Sequence, residues 1–304
     1  MSKRKKASKK QTNGKVIKGK FPQVLESGRI QDIPRNREIA ERHIQYHWRY
    51  YSELAQQREQ VLDELLLSFN EMACGPFEIE NWHRIVRYKY GLTPFSAIGS
   101  VRNCGGRFNL GSINSQLSTF PALYLAEDMD TARFEAFGQG EGRLDPESLA
   151  LTNPESLVQF AFNGLVCRFI DLRDHKKLQP MVDIIKQFGL SASLRKQSKV
   201  VEGVEPAIVS TSKALADTLL DSNWRERPMI YDIPANSQIF GHLAYQAGIE
   251  GILYPSKFNG KLCLALFPEN FNNTDSFLTL VGEPPDSDIP IKLDSDNFNI
   301  AMDG

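Results

Sequence analysis

Between residues 75 and 82 the period of the apolar residues changes, and that change limits the possible folds more than any composition figure does. Upstream, Ile39, Ile44, Trp48, Tyr51, Leu54, Val61, Leu65 and Phe69 recur at spacings of three to seven, as one face of a helix does, and Gly75-Pro76 is a stop signal. The pattern predicts one long helix or two shorter ones over about 36–73. From Trp82 onward, short β-like runs alternate with glycine-rich turns. Residues 121–127 (PALYLAE) read as a strand with Tyr124 on the opposite face from Leu123 and Leu125. Asp128 offers an N-cap to a short helix over 131–137, closed by Gly138. A strand is predicted over 165–171 and helices over 176–188, 211–221 and 237–247, the last capped by Gly248. Strands over 249–254 and 261–267 are apolar at adjacent as well as alternate positions, as strands buried on both faces are, and Asn259-Gly260 between them signals a hairpin.

Charge narrows the function classes. The 304 residues carry a net charge of −1, but residues 1–20 hold nine Lys/Arg and no acid, which leaves 27 basic against 37 acidic residues in the rest. Residues 275–304 hold seven acids and one lysine. A body of that sign lacks the broad basic face that phosphate backbones demand. An anionic small molecule would have to be met by a few well-placed arginines. The four cysteines are scattered without a CxxC pair, which fits a reducing compartment and neither a disulfide framework nor a zinc knuckle. No apolar run approaches the ~20 residues of a membrane span, and the basic start is followed by no apolar stretch. The expectation is a cytoplasmic protein. His43 and His47 share the i, i+4 spacing of two metal ligands, but position 44 is Ile rather than Glu and no third ligand is evident. No metal is expected.

The most unusual stretch is GSVRNCGGRFNLG at 99–111. Its glycines allow sharp turns and close approach to a ligand, and consecutive amides in such turns can cradle phosphate oxygens. Arg107 adds a two-pronged donor suited to a pyrophosphate. The stretch matches neither the dinucleotide fingerprint nor the P-loop, so alone it is equally a surface loop.

Its neighbours change the reading. WHRIVRYKYG at 82–91 is followed by TPFS at 93–96, GGRFN at 105–109, LYLAED at 123–128, TARFEAF at 131–137 and GIEGILYPSKFNGKLCLALFPENF at 248–271. This ordered series resembles the RES family, whose name records an arginine, a glutamate and a serine. Here they map to Arg84, Glu135 and Ser256, with Arg87 a rival for the arginine; the resemblance covers about residues 80–271. It implies an α+β fold similar to ADP-ribosyltransferase toxins, with mixed and antiparallel sheets flanked by helices, here preceded by an N-terminal helical segment. With the charge and periodicity above, the expected division is a basic arm (1–20), a helical segment (21–78), a RES-like catalytic domain (79–274) and an acidic tail (275–304) that peels away; the arm and helical segment depart from the compact toxins of the family. The resemblance also implies NAD⁺ as substrate, cleaved at the nicotinamide–ribose bond with phosphate or water as acceptor. In some relatives the acceptor is a protein, which makes the enzyme an ADP-ribosyltransferase. Many members are toxins of bacterial toxin–antitoxin pairs, so an Xre-like antitoxin is an expected partner, alongside a homo-oligomer.

The residue chemistry suits those roles. Loss of nicotinamide develops positive charge on the ribose, which a carboxylate such as Glu135 stabilises, the more so if Phe134, Ala136 and Phe137 partly dry the site. Arg84 and Arg107 are expected on the pyrophosphate, with Gly106, Asn109 and Tyr124 as further NAD⁺ contacts. Ser256 has no neighbouring histidine to activate it, so ligand contact rather than covalent catalysis is expected. A reading of another class treats the basic, helical N-terminus as a nucleic-acid or partner-binding module. Its aromatic run Tyr46-His-Trp48-Arg-Tyr50-Tyr51 would either stack bases or form a packing face.

Overall fold

A computed structural model describes residues 33–112, 117–137, 157–284 and 286–302, and the chain divides into two units, 1–45 and 46–304. The helical period is realised as two helices, α1 (Ile33–Gln60) and α2 (Leu62–Met72). Val61 interrupts them with φ −119° and ψ 25°. In the first unit α1 is polar, with one-turn ion pairs Arg37–Glu41 at 2.7 Å and Arg42–Glu38. In the second, α2 buries Leu65, Phe69 and Met72.

Beyond Gly75-Pro76 follow β1 (Phe77–Arg87), β2 (Leu123–Ala126), α3 (Met129–Phe137), β3 (Leu157–Val166) and β4 (Phe169–Asp171). Then come α4 (Gln179–Ile185), α5 (Ala192–Val201), α6 (Ser212–Leu219), α7 (Glu226–Tyr231) and α8 (Asn236–Gln246), and finally β5 (Gly251–Pro255), β6 (Leu262–Leu266), β7 (Phe277–Leu280) and β8 (Lys292–Leu293). The strands form one sheet in the order β4-β5-β6-β2-β1-β3-β7-β8. It is antiparallel except for the parallel pair β4–β5. This is the expected α+β class. Among the described residues no helix is long and apolar enough to cross a membrane.

The sheet has a core on each side, and β5 and β6 serve both. Ile252, Tyr254, Cys263 and Ala265 join α2, α4, α6 and α8 in one cluster, while Leu253, Leu264 and Leu266 join Phe162, Phe271 and Leu278 in the other. Asp128 caps α3 as predicted, accepting from Thr131 N at 2.8 Å. Gly248 (φ +69°) ends α8, and Gly260 (φ +75°) makes the β5–β6 turn. In β1, Ile79 pairs with Gly164 but Trp82 with Phe162, so one extra residue bulges out. Asn81 takes φ +51° there, and its N–H donates to Asn163 at 2.7 Å. The bulge resets the alternation so that Ile79 and Trp82, three apart, enter the same core.

Two expectations need correction. The strand predicted over 165–171 is broken at Cys167-Arg168, because the Glu250 carboxylate accepts both of their amides, at 2.8 and 2.9 Å, and turns a corner. The acidic stretch from 275 does not peel away as a tail. Its apolar residues build β7 and β8, and Leu278, Leu293 and Ala301 are fully buried beside Trp82, Phe95 and Phe162. Among the described residues, Asp275, Glu283, Asp286, Asp288 and Asp296 are exposed between apolar positions, so composition concealed two strands. Gly138 lies outside the described residues.

Candidate active site

A cavity of about 280 Å³ opens where β1, β2, α3, the glycine-rich loop, the β5–β6 hairpin and the residues before α7 meet. The loop forms its floor. Gly105 takes φ +82°, a conformation open to glycine at little cost. At Gly106 a Cβ would fall 2.4 Å from the Tyr124 hydroxyl and 2.6 Å from the Asn109 side-chain oxygen, so only glycine fits. Asn109, fully buried, ties this together: its oxygen accepts from Gly106 N and the Tyr124 hydroxyl, both at 2.9 Å. Its amide nitrogen donates to the Ser100 and Phe120 carbonyls. From below, the buried Gln238 of α8 donates to the carbonyls of Cys104, Gly106 and Asn109 at 2.6, 3.0 and 3.1 Å.

The walls are cationic. Among the described residues, Arg84, Arg107, Arg225 and Lys257 line the cavity with a single carboxylate, Glu135. Arg84 donates to the carbonyls of Pro94 at 2.8 Å and Ser96 at 2.7 Å, which explains the TPFS segment's place beside it. Burial lowers its pKa to about 10. Arg107 is 8% exposed and donates to the Asp221 carbonyl at 2.8 Å and that of Leu219 at 3.3 Å. The centre of the Trp224 ring lies 5.9 Å from the Arg107 guanidinium and 4.6 Å from that of Arg225. Burial, then the positive charges of Arg107 and Arg225, lower the pKa of Lys257. Glu135 and Asp221 act in the opposite direction.

Glu135 projects from α3 into this field and accepts a hydrogen bond of 2.6 Å from the Ser256 hydroxyl. Ser256 is 4% exposed, and its oxygen also accepts from Phe258 N at 3.3 Å. Tyr124 presents its ring to the cavity while its hydroxyl is engaged with Phe108 N and Asn109. Burial raises that phenol, and it also raises Tyr254 and Cys263, which line the cavity too.

Of the residues singled out in the sequence, Arg84, Gly106, Arg107, Tyr124 and Glu135 therefore share one cavity. Two do not behave as expected. Asn109 is fully buried and off the cavity lining, with both ends of its amide engaged in bracing the loop. Ser256 stands behind Glu135 rather than on the cavity lining. Arg87 is exposed at the end of β1 and off the lining, which favours Arg84 as the family arginine. Sequence reasoning missed His83, Trp224, Arg225, Lys257 and Gln238. Lys257 was adjacent to a motif residue, and the aromatic–basic run NWRER at 223–227 was the one local signal for the second.

No curated protein matches the sequence. Among solved structures, the chain is similar to one in the crystal structure of the M. tuberculosis MbcT–MbcA toxin–antitoxin complex, at 16% identity and a TM-score of 0.40, covering 79% of this chain and 98% of that one. The RES domain matches residues 81–285, about two-thirds of the chain and every element of the cavity. The chain belongs to the RES domain family.

Proposed function

We propose that this protein is an NAD⁺-consuming enzyme that cleaves the nicotinamide–ribose bond. The observation that carries the reading is a cavity lined, among the described residues, by one carboxylate and four cations in a chain whose body is acidic. A pyrophosphate supplies two negative charges, and Arg107, Arg225 and Lys257 are their natural complement. At about 280 Å³ the cavity is at the small end for cofactor-sized ligands, so it suits the reacting half of the dinucleotide. Tyr124 and Trp224 offer ring faces for the nicotinamide.

In this reading Glu135 faces the ribose. As the glycosidic bond lengthens, its electrons leave with the nicotinamide, which departs neutral, and positive charge grows on the ribose. The carboxylate stabilises that charge, while Ser256 fixes the carboxylate's orientation and so saves reorganisation during the step. The acceptor is inorganic phosphate or water; the cation surplus supports phosphate, which would complete its charge. A protein acceptor is the related alternative. An intracellular toxin role, a helical antitoxin and a homo-oligomer follow from the family resemblance as proposals.

The test is nicotinamide release from NAD⁺ by the purified full chain, with and without phosphate and with a lysate as protein acceptor. Release with phosphate or water is expected, and E135Q should lower it ~100-fold or more while melting like the parent. If the parent chain neither binds nor turns over NAD⁺ with any of these acceptors, the reading fails. A label on lysate protein with no free product would move it to the transferase alternative.

A further inference from the structure

Away from the cavity, a recess of about 120 Å³ lies between α1, α2, α4, α6 and α8. Leu54, Leu215, Ile239 and Leu243 supply apolar lining, and Tyr50 and Arg58 line it as well. Tyr50, Leu54 and Arg58 are four apart along α1, so one helix face delivers an apolar wall ending in a cation. At ~10–15 Å³ per water-sized site, the volume accommodates roughly eight to twelve heavy atoms. That is too small for a dinucleotide and ample for a short aliphatic chain.

The polar end has a definite sign. The Arg58 guanidinium lies 5.4 Å from the centre of the Tyr51 ring. A second guanidinium, Arg227, lies 5.9 Å from the Tyr50 ring and donates to the Asn236 side-chain oxygen at 3.0 Å, and Asn236 itself lines the recess. Among the described residues, neither arginine forms an ion pair with a carboxylate. Burial depresses the Arg58 pKa, and the positive charge of Arg227 depresses it further. Two like charges beside an apolar slot, one near a tyrosine ring and the other donating to an amide, are complementary to one anion.

The geometry points to a binding site for a medium-chain aliphatic carboxylate, its chain among Leu54, Leu215, Ile239 and Leu243 and its carboxylate on Arg58, with Arg227 supporting. The assignment is independent of the NAD⁺ reading. The two sites adjoin through α6: Leu219 lines the recess, and its carbonyl holds Arg107 in the cavity.

Calorimetric titration of the full chain with octanoate, and with octanol as the neutral analogue of equal length, decides the matter. Saturable one-to-one binding of octanoate is expected, at least tenfold tighter than octanol. R58M should reduce octanoate to the octanol level and leave octanol unchanged, and I239W, which fills the slot, should remove both. R227M should weaken octanoate several-fold, and it decides the point if R58M does not melt like the parent. Equal affinity for acid and alcohol, octanoate affinity that survives R58M and R227M, or no octanoate binding below its micellar concentration would each overturn the proposal.

Discussion

At the scale of single residues, the contact between Ser256 and Glu135 separates two roles that sequence motifs cannot distinguish. A serine that touches substrate and one that orients the carboxylate occupy the same motif position. In the proposed function, the 2.6 Å hydrogen bond assigns Ser256 the second role. A bond to a charged group is worth ~1.5–3 kcal/mol when buried, and the exposure of Glu135 brings this to the low end. S256A should therefore lower kcat for nicotinamide release about tenfold with little change in KM. S256T, which keeps the hydroxyl, should recover most of it. A rise in KM at constant kcat would instead place Ser256 on the substrate. The residues legible in the sequence were those whose chemistry is carried by a motif: Arg84, Arg107 and Glu135. Trp224, Arg225 and Gln238 were not, because each reaches the site from a helical region some 90 to 130 positions further on. A contact over that separation leaves no local pattern. Asn109 shows the converse: its motif position was right, but an amide offers the same groups to a ligand and to a loop, and only burial tells which one takes them.

At the scale of elements, the cavity floor depends on α8. A Cβ at Gly241 would lie 2.0 Å from the Phe108 carbonyl oxygen, so α8 approaches the loop as closely as backbone atoms permit. That closeness lets Gln238, one turn earlier, reach three loop carbonyls at once. G241A must push the helix away and strip those bonds from buried groups. A loss of ~3 kcal/mol or more is expected, read as a lower urea midpoint, with catalysis lost in whatever still folds. Q238A keeps the helix in place and should cost about 2 kcal/mol, so a G241A no worse than Q238A would contradict the close-approach argument. Elements were legible where one period ran long enough or a turn residue marked the end: α1 and α2, β2, α8, and the β5–β6 hairpin with its Asn259-Gly260 turn. β7 and β8 were hidden because four and two residues are too few for a period to show against acidic neighbours. The gap between β3 and β4 is made by Glu250, more than eighty residues away.

At the scale of the whole molecule, the same burial that shapes the cavity sets the limit of stability in alkali. Tyr124, Tyr254 and Cys263 lie along its lining, and burial raises all three above their ordinary values. Tyr245, raised by burial and by Glu269, adds a fourth group. In the unfolded chain a thiol releases its proton near pH ~8.5 and a phenol near ~10. Above those values the unfolded state holds fewer protons than the native one, and stability falls as pH rises. Arg84 works in the opposite direction: its pKa, lowered to about 10, makes its burial less costly as pH climbs past that point. One guanidinium acting from about pH 10 cannot offset a thiol that begins earlier and three phenols that begin near the same pH. The urea midpoint should therefore hold to about pH 8.5 and then drop steeply, each buried group adding up to ~1.4 kcal/mol per pH unit. Y254F removes one of these groups and should make the drop shallower by about that amount, with the neutral-pH midpoint changed far less. A profile that stays level to about pH 11, or that is as steep in Y254F, would mean the phenols are not sequestered and the cavity walls admit water.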